Sequence, residues 1–224
     1  MILYAIPTPL GSPPAQALPA PALATIRSLK DFVVENAKSA RAFLGALAMP
    51  VRELSIKVIG EDQDPLGPLR GGRALGLLSD AGCPAIADPG AGVVEAAHRE
   101  GFRVVPLVGP SSIVLALMAS GLEGQRFAFC GYLPREAGER MRRIRELEQR
   151  SKREQETEIF IETPYRNEAL FAALVQSCRP DTQLCIAADL TMPDESVRTK
   201  PVAEWRRARA VIGRRPAVFL LQAG

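Results

Sequence analysis

Histidine and cysteine are scarce in this chain of 224 residues, which has one histidine and four cysteines. The cysteines are scattered and form no Cys-x-x-Cys pair, so neither a metal site nor a disulfide framework is predicted, and reduced thiols fit better. A Ser-His or Cys-His nucleophile needs a histidine beside it. The single histidine, His98, lies on the charged side of a predicted helix, where we interpret it as a solvated surface residue. Cys83 is accordingly interpreted as a small packing residue.

Long apolar runs are also lacking. No apolar run approaches the roughly 20 residues of a membrane span. The stretch Met1 to Ile6 lacks a basic start and is cut short by Pro7 and Pro9, which is not typical of a signal peptide. We therefore expect no membrane association and a cytoplasmic location. No Gly-x-Gly-x-x-Gly motif follows a predicted strand, which argues against a dinucleotide-binding enzyme.

Charge is nearly balanced, with 28 basic and 25 acidic residues and a net charge of +3. That total does not by itself indicate a polyanionic partner, but basic residues are concentrated in two stretches. The first contains Arg135, Arg140, Arg142, Arg143, Arg145, Arg150, Lys152 and Arg153. The second contains Arg198, Lys200, Arg206, Arg207, Arg209, Arg214 and Arg215. Both stretches can be solvated surface with (i, i+4) ion pairs, or they can bind the phosphates of RNA.

Strands and helices alternate through the first half of the chain. Apolar runs predict strands over residues 2–6, 32–35, 55–59, 74–78 and 102–108. Helices are predicted at 22–29, at 37–48 and from Val93 to a cap at Gly101, and loops at 12–21 and 60–72. This alternation is typical of a mainly parallel sheet with helices on its faces.

The pattern changes after Pro110. Strands are predicted at 127–129, 158–161, 183–187 and 217–221, helices at 113–120, 138–152 and 167–177, and a turn at 131–134. A length of 224 residues suits either one large domain or two small ones, and a boundary near Pro110 gives two halves of about a hundred residues, a common domain size. We therefore predict an α/β protein made of an N-terminal α/β domain, residues 1–110, and a C-terminal α/β domain, residues 111–224.

The segment from Leu77 to Gly92 links a predicted buried strand to a helix and is rich in glycine, alanine and proline. Such connections usually take about two to six residues, and this one is longer. In parallel α/β sheets, ligands bind just past the carboxyl ends of the strands. Small residues there let the backbone approach a ligand closely. The segment is therefore predicted to bind a ligand, the alternative being an ordinary connection.

Five segments match the motifs of a known family. They read Pro-Thr-Pro-Leu-Gly at 7–11, Ser-Asp-Ala-Gly-Cys-Pro-Ala-Ile-Ala-Asp-Pro-Gly at 79–90, Gly-Pro-Ser-Ser at 109–112, Gly-Tyr-Leu-Pro-Arg at 131–135 and Glu-Thr-Pro-Tyr-Arg at 162–166. In this order and spacing they resemble the tetrapyrrole methylase superfamily, and within it the ribosomal RNA small subunit methyltransferase I-like branch. The resemblance covers essentially the whole chain, and the segment 79–90 is its most specific part.

The resemblance implies two α/β domains, a molecule of S-adenosylmethionine held in a cleft between them, and a homodimer. Carried over by position, the family's cofactor contacts fall on Leu10, Ala81, Gly82, Cys83, Ile86, Ser111, Ser112, Glu162 and a position near Thr199. Asp80 is adjacent to this set. It either meets the polar groups of the cofactor or caps a turn.

The chemistry of methyl transfer points to further residues. Transfer from a sulfonium is an in-line displacement, so positioning of the donor and the acceptor does much of the work. A ribose hydroxyl acceptor would also have to lose its proton. Glu35, at the end of the second predicted strand, is the first candidate for the proton acceptor, with Lys38 or Arg166 as an electrostatic helper. The alternative for Glu35 is a salt-bridged strand end.

The acceptor side departs from the family pattern. Residues 34–38 read Val-Glu-Asn-Ala-Lys where the RNA branch usually has Ala-Glu-Asp-Thr-Arg, Ser12-Pro13 replaces Asn-Leu, and Tyr165 replaces histidine. We predict a methyltransferase that uses S-adenosylmethionine and acts on a ribose oxygen of ribosomal RNA in the small subunit. The alternatives are another acceptor, such as a tetrapyrrole, or a non-catalytic RNA-associated protein that retains the cofactor.

Overall fold

The computed structural model describes residues 1–61, 64–208 and 211–224, and within them the chain forms two compact units, Met1–Ser111 and Ser112–Gly224. The division lies one residue beyond the predicted domain boundary. Each unit contains a five-stranded sheet with helices packed on it. Arg209 of the second basic stretch lies outside the described residues.

The sheet of the first unit is entirely parallel. Its strands are β1 (Ile2–Ile6), β2 (Asp31–Val34), β3 (Ser55–Val58), β4 (Leu75–Leu78) and β5 (Arg103–Pro106). They lie in the order β3-β2-β4-β1-β5. All five strands predicted from the sequence are present, and the largest difference is β5, which ends two residues before the predicted end.

The direction of the chain connections reverses between β1 and β4, which are neighbours in the sheet. From β1 the chain crosses to β2 on one side of this pair, and from β4 it crosses to β5 on the other side. The loops that follow the two strands therefore leave in opposite directions. In open parallel sheets, ligands bind outside the carboxyl ends of the strands at such a switch point.

Five α-helices occur among the described residues of the first unit, together with a short 3-10 helix, Val51–Glu53. They are α1 (Pro14–Ala17), α2 (Ala20–Ser28), α3 (Ala37–Ala46), α4 (Gly67–Arg70) and α5 (Ala91–Arg99). The prediction of loops at 12–21 and 60–72 was therefore partly wrong. Both short helices have proline in their first turn, where the missing N–H removes no helical hydrogen bond. Gly101, with φ +74, follows the end of α5, as its predicted capping role requires.

Apolar side chains cover both faces of this sheet, because successive strand residues point to opposite sides. Ile6, Phe32 and Leu78 pack with α2 and α3 on one face. Leu77 packs with Val93 of α5 on the other face. The strands β2 and β4 are buried along their whole length, and apart from Asp31, the first residue of β2, they read as continuous apolar runs in the sequence.

The sheet of the second unit is mixed. Its strands are β6 (Phe127–Tyr132), β7 (Thr157–Ile161), β8 (Gln183–Ala188), β9 (Ser196–Pro201) and β10 (Ala217–Gln222), and its helices are α6 (Ser112–Ser120), α7 (Ala137–Glu154), α8 (Asn167–Ser177) and α9 (Val202–Arg207). The strand order is β6-β7-β10-β8-β9, with β6 and β7 parallel and the other pairs antiparallel. A 3-10 turn, Pro164–Arg166, precedes α8.

The sequence pattern did not predict β9 and α9. The strand β9 reads Ser-Val-Arg-Thr-Lys-Pro and lies at the edge of the sheet, where it pairs with β8 alone. An edge strand with a partly solvated face has too few apolar residues to stand out as a strand. The turn predicted at 131–134 was also partly wrong, because β6 continues to Tyr132 through an irregularity at Gly131, whose φ is +65.

The core of the second unit lies between its sheet and the helices α7, α8 and α9. Phe160 of β7 and Phe219 of β10 stack with their ring centroids 6.1 Å apart. Trp205 of α9 donates a hydrogen bond from Nε1 to the carbonyl of Leu184 at 2.8 Å, so this polar group is satisfied within the core. In the part of the chain that the structure describes, no helix is long and apolar enough to cross a membrane.

Candidate functional site

The loops that follow β1 and β4 are joined at the switch point by a two-residue bridge. The Thr8 N–H donates to the Gly82 carbonyl at 2.9 Å, and the Gly82 N–H donates to the Thr8 carbonyl at 3.0 Å. The Ser79 hydroxyl donates to the same Gly82 carbonyl at 3.2 Å, and Thr8 Oγ1 donates to the Ser79 carbonyl at 3.4 Å. These bonds hold the backbone of the predicted ligand loop against the end of β1.

Thr8 and Ser79 were missed by the sequence reasoning. Both are buried, at 3% and 7% exposure. Thr8 follows a buried strand and stands between two prolines, a place where a buried hydroxyl must find a backbone partner. The position of Thr8 was thus an indication available in the sequence, but the sequence did not show that its partners lie in the loop after β4.

Three predicted cofactor contacts meet beside this bridge. Gly82 has φ +77, and a Cβ at this position would lie 3.3 Å from Leu10 Cδ2, so the backbone here needs glycine. The Cys83 thiol lies 3.5 Å from the carbonyl of Pro110 and also interacts with Ser111. Burial raises the pKa of Cys83, with a smaller contribution from the charge of Asp88. The thiol therefore stays protonated, which fits the packing role predicted for it.

The outer part of the loop is held in strained backbone. Ala85 and Ala87 have φ of +66 and +64, a conformation that costs a residue other than glycine about 1–2 kcal/mol. One carboxylate oxygen of Asp88 accepts hydrogen bonds from Ala85 N–H at 2.7 Å and from Gly90 N–H at 3.0 Å, which stabilises the turn. Strain of this kind clusters at ligand sites. Ile86, another predicted contact, lies between the strained residues with 48% of its surface exposed.

Ala81 is exposed and makes no hydrogen bond among the described residues. Its two neighbours are fixed, since Gly82 is bridged to Thr8 and the backbone N–H of Asp80 donates to Glu35. A solvent-facing peptide between fixed neighbours can donate and accept hydrogen bonds without rearranging. This arrangement fits a small polar ligand such as the predicted cofactor.

Glu35 and Asp80 lie side by side just past the ends of β2 and β4. Glu35 Oε2 accepts a hydrogen bond from the Asp80 N–H at 3.1 Å, and the Ser39 hydroxyl of α3 donates to Asp80 Oδ1. The pKa of Glu35 is raised, chiefly by burial, and the charges of Asp80 and Asp88 add to this, while the bond from the Asp80 N–H opposes it. A carboxylate with a raised pKa is a stronger base. The salt bridge considered as the alternative role of Glu35 does not occur among the described residues.

Lys38 is exposed in the first turn of α3. Its backbone N–H donates to Asn36 Oδ1 at 2.8 Å, and this contact caps the helix. The structure thus explains Asn36, one of the departures from the family pattern, because asparagine caps a helix as well as aspartate does.

Glu162 and Arg166, predicted to have separate roles, form one ion pair in the second unit. Arg166 Nε donates to Glu162 Oε1 at 2.9 Å, and the same oxygen accepts from the Thr163 N–H at 2.7 Å. The Glu162 side chain is 1% exposed and that of Arg166 is 18% exposed. Arg166 therefore neutralises a buried carboxylate within the second unit, whereas Glu35 and Lys38 belong to the first.

Two further predicted contacts lie at the two ends of α6. Ser112 is the first residue of this helix. At its other end, the Thr199 hydroxyl donates to the carbonyl of Ser120 at 2.6 Å and so ties β9 to α6. The second basic stretch also has internal partners, since Arg206 donates to the carbonyls of Val175 and Cys178 and Arg215 pairs with Asp189.

Metal-ligating side chains do not converge in the part of the chain described, which has no group of three or more histidine, cysteine, aspartate or glutamate residues able to hold an ion. His98 is exposed, as predicted. The polar groups of the candidate site are thus the backbone of the loop after β4 and the carboxylates of Glu35 and Asp80.

The family model for tetrapyrrole (corrin/porphyrin) methylases matches residues 68–205. Among curated proteins, the chain is 33% identical over 202 residues to ribosomal RNA small subunit methyltransferase I of Mesorhizobium japonicum, covering 88% of this chain and 66% of that protein. It is also 30% identical to the protein of the same name from Vibrio cholerae, and this match covers 91% of this chain and 69% of the relative. The identity to the protein of the same name from Neisseria meningitidis serogroup B is likewise 30%, over 94% of this chain and 71% of the relative.

Among solved structures, the chain is similar to the methyltransferase CobJ, with a TM-score of 0.66 and 16% identity. The match covers 100% of this chain and 94% of that one. At this identity the likeness concerns the fold, and it confirms the predicted α/β class. The chain spans about two thirds of the length of the curated relatives that it matches.

Proposed function

Because this chain belongs to the tetrapyrrole methylase family, we propose that it transfers the methyl group of S-adenosylmethionine to ribosomal RNA of the small subunit. Membership confirms the family identified from the sequence motifs and the expectation of a methyltransferase. Three finer points belong to the proposal itself: the cofactor, the ribose 2′-hydroxyl as acceptor and the residues that do the chemistry.

The loop after β4 supports the choice of donor. Its backbone is fixed to Thr8 at the switch point, it presents the free peptide of Ala81, and glycine at position 82 leaves room beside Leu10. Bound S-adenosylmethionine would supply an electrophilic methyl group on a positively charged sulfur, which keeps the electron pair of the broken bond. Ala81, Gly82, Cys83 and Leu10 would hold it in a fixed orientation, which is the main requirement of an in-line displacement.

Glu35 is the residue proposed to act on the acceptor. When the acceptor oxygen forms its bond to the methyl carbon, the hydroxyl proton must leave, and Glu35 takes it on its carboxylate. Burial and the neighbouring Asp80 charge make Glu35 more basic than an ordinary glutamate. Lys38, exposed in the first turn of α3, would stabilise the developing negative charge on the acceptor oxygen.

Relatives at 30–33% identity, all named as small subunit ribosomal RNA methyltransferases, support the choice of acceptor. This is the observation on which the RNA proposal depends most. A cytoplasmic location follows from that acceptor. A homodimer belongs to the same proposal, and the apolar helix α6, where Met118 is 76% exposed and Val114 48% exposed, supports it.

The first experiment is calorimetric titration of the protein with S-adenosylmethionine, with NAD as the control ligand. We expect micromolar binding of S-adenosylmethionine alone. The variant Leu10→Arg should weaken this binding by placing a charge beside Gly82, whereas Leu122→Arg, a partly buried change in the second unit, controls for general damage. Absence of binding to the wild-type protein would contradict S-adenosylmethionine as the donor, and with it the proposed methyl transfer.

The acceptor is tested with methyl-labelled S-adenosylmethionine and small ribosomal subunits that lack the modification. Methylation of a ribose 2′-oxygen blocks alkaline cleavage at that nucleotide, because this oxygen is the nucleophile of the cleavage. The label should therefore appear in an alkali-resistant dinucleotide. Label in a base would contradict the ribose assignment, and transfer to a porphyrin-type compound but not to subunits would favour the tetrapyrrole alternative.

A further inference from the structure

The helix α7 contains most of the first basic stretch, and the structure divides its basic residues into two sets. The buried side of the helix includes Ile144, Leu147 and Ser151, which pack against the sheet of the second unit. Two arginines of the helix, Arg140 and Arg150, form the inner set, because their side chains bond to groups of the protein itself. They are therefore structural residues.

Arg140 is 9% exposed and donates from Nη1 to the carbonyl of Arg135 at 3.0 Å, one turn before it. Arg150 donates from Nε to Glu158 Oε1 at 2.6 Å and also pairs with Glu156. Glu158 is fully buried within β7, so the charge of Arg150 is needed to compensate it. Arg140 is therefore buried, and Arg150 is held by two carboxylates.

The outer set forms a stripe along the helix, which we name the α7 stripe: Arg142, Arg145, Gln149 and Lys152. Its members are separated by three, four and three residues, so they project from one face, and all four are exposed. The stripe extends over about 15 Å of helix at 1.5 Å per residue. Its three cations are presented by a rigid element, with no acidic residue among them.

Among the described residues, no carboxylate of α7 forms an ion pair with a member of the α7 stripe. Glu146 pairs with Arg143 at 3.2 Å, and Glu154 pairs with Arg126 and Arg153. The remaining acidic residues of the helix and its cap are Glu136, Glu139 and Glu148. Glu136 accepts two backbone N–H groups at the start of the helix, and its carboxylate is also near enough to Arg142 for their charges to attract. Glu148 accepts from Thr182 and Arg179, and Glu139 makes no ion pair among the described residues.

One neighbour lowers the charge at the carboxyl end of the stripe. Asp181 lies near Lys152, although its ion pair, at 3.4 Å, is with Arg179. Arg142 and Arg145 are further from this carboxylate along the helix. A guanidinium also binds phosphate oxygens through two parallel hydrogen bonds, which an ammonium cannot do. The two arginines should therefore contribute most to binding.

We propose that the α7 stripe binds the phosphate backbone of the RNA acceptor. Arg142 and Arg145 contact phosphates, Lys152 adds charge at one end, and Gln149 donates a hydrogen bond from between them. Phosphate contacts position an RNA without reading its sequence. This inference depends on the proposed function only for the identity of the polyanion, because the division of α7 into two faces is independent of the reaction.

The test compares Arg142→Gln/Arg145→Gln with the charge-matched control Arg52→Gln/Arg99→Gln. Arg52 and Arg99 are exposed. Arg52 precedes β3 and Arg99 ends α5, just before β5, so both lie at the amino-terminal ends of the strands of the first sheet, whereas the site loops follow the carboxyl ends. Affinity for a small subunit RNA fragment is measured between about 50 and 300 mM salt. Each phosphate contact contributes about 0.7–0.9 to the slope of log affinity against log salt. We expect the α7 double variant to lose roughly 1.5 of that slope and the control to lose none.

A methyl-transfer assay separates this proposal from the proposed function. The α7 double variant should show a raised KM for RNA, an unchanged kcat and an unchanged affinity for S-adenosylmethionine. If its salt slope equals that of wild type or falls equally in the control, the α7 stripe is merely solvated and the proposal is wrong. If wild type binds RNA through the stripe but transfers no methyl group, the stripe proposal stands and the enzymatic one fails.

Discussion

The backbone N–H of Asp80 donates a hydrogen bond of 3.1 Å to the carboxylate of Glu35, so two acidic residues from different strand ends are adjacent. Their charges repel, which raises the pKa of Glu35 beyond the effect of its burial. Ser39 holds the Asp80 carboxylate through its hydroxyl. The pair gives the site one carboxylate that gains a proton readily and one that is held in place.

Replacement of Glu35 by glutamine should abolish most of the activity while preserving the site. The amide oxygen of the glutamine would still accept the hydrogen bond from the Asp80 N–H, but the side chain cannot take up a proton. We expect kcat to fall by about 100-fold or more, the usual contribution of a general base. Affinity for S-adenosylmethionine, measured by calorimetry, should stay the same. A variant that retains full activity would show that Glu35 is not the proton acceptor.

The same substitution should stabilise the protein at neutral pH. The pKa of Glu35 is higher in the folded chain than in the unfolded one, so the folded state binds more protons between the two values. Stability is therefore lost as pH rises through this interval, and the loss persists at pH 7. Glu35→Gln removes it. Thermal unfolding should show a higher Tm for the variant than for wild type at pH 7 and no gain at pH 4; a gain of equal size at both values would contradict the assignment.

Asp80→Asn tests the electrostatic coupling. The substitution removes the neighbouring negative charge but keeps the backbone N–H, so the pKa of Glu35 should fall. The acid limb of the profile of kcat against pH should move to lower pH. Ser39→Ala is the control, since it removes the hydrogen bond to Asp80 but leaves the charge, and its acid limb should move less. Equal displacement in the two variants would indicate a change of geometry instead.

The ion pair of Arg150 with Glu158 should be important for stability. Arg150→Met leaves the buried Glu158 carboxylate without its cation, and we expect a loss of about 3 kcal/mol in the free energy of unfolding. Arg153→Met on the same helix is the control, because Arg153 and Glu154 are exposed and such pairs contribute about 0–1 kcal/mol. Urea unfolding of both variants measures the difference. Similar losses would mean that the buried pair has no special role.

Glycine at position 76 should be required by packing in the first sheet. A Cβ there would lie 2.7 Å from Phe32 Cδ1 and 2.9 Å from Ile6 Cδ1, so Gly76→Ala should cost about 1–3 kcal/mol of stability. Gly45→Ala in α3 is the matched control. Its Cβ would meet Val51 at an ordinary 3.8 Å, and alanine favours a helix by up to about 1 kcal/mol. In urea unfolding we expect Gly76→Ala to lower the free energy of unfolding and Gly45→Ala to raise it.

Much of the architecture was predictable from the sequence. The strands β2 and β4 are buried on both faces, and apart from Asp31 they are continuous apolar runs. The helix at 167–177 has the bounds predicted for it. The strand β9 was not predictable, because an edge strand with charged residues looks like a basic loop until its partner β8 is known. The short helices α1 and α4 were predicted as loops because each has proline in its first turn, and local composition does not distinguish a loop from a first helical turn.

The sequence by itself determined the family, the alternation of strands and helices, and the loop in which glycine and small residues are required. These properties depend on residue type and spacing along the chain, which the sequence contains in full. Only the tertiary structure decided which side chains meet. It placed Thr8 against Gly82 and Asp80 against Glu35, paired Glu162 with Arg166, and turned Arg150 inward while Arg142 and Arg145 face the solvent. Contacts between residues distant in sequence depend on strand order and helix rotation, and a single sequence does not encode these as a local pattern.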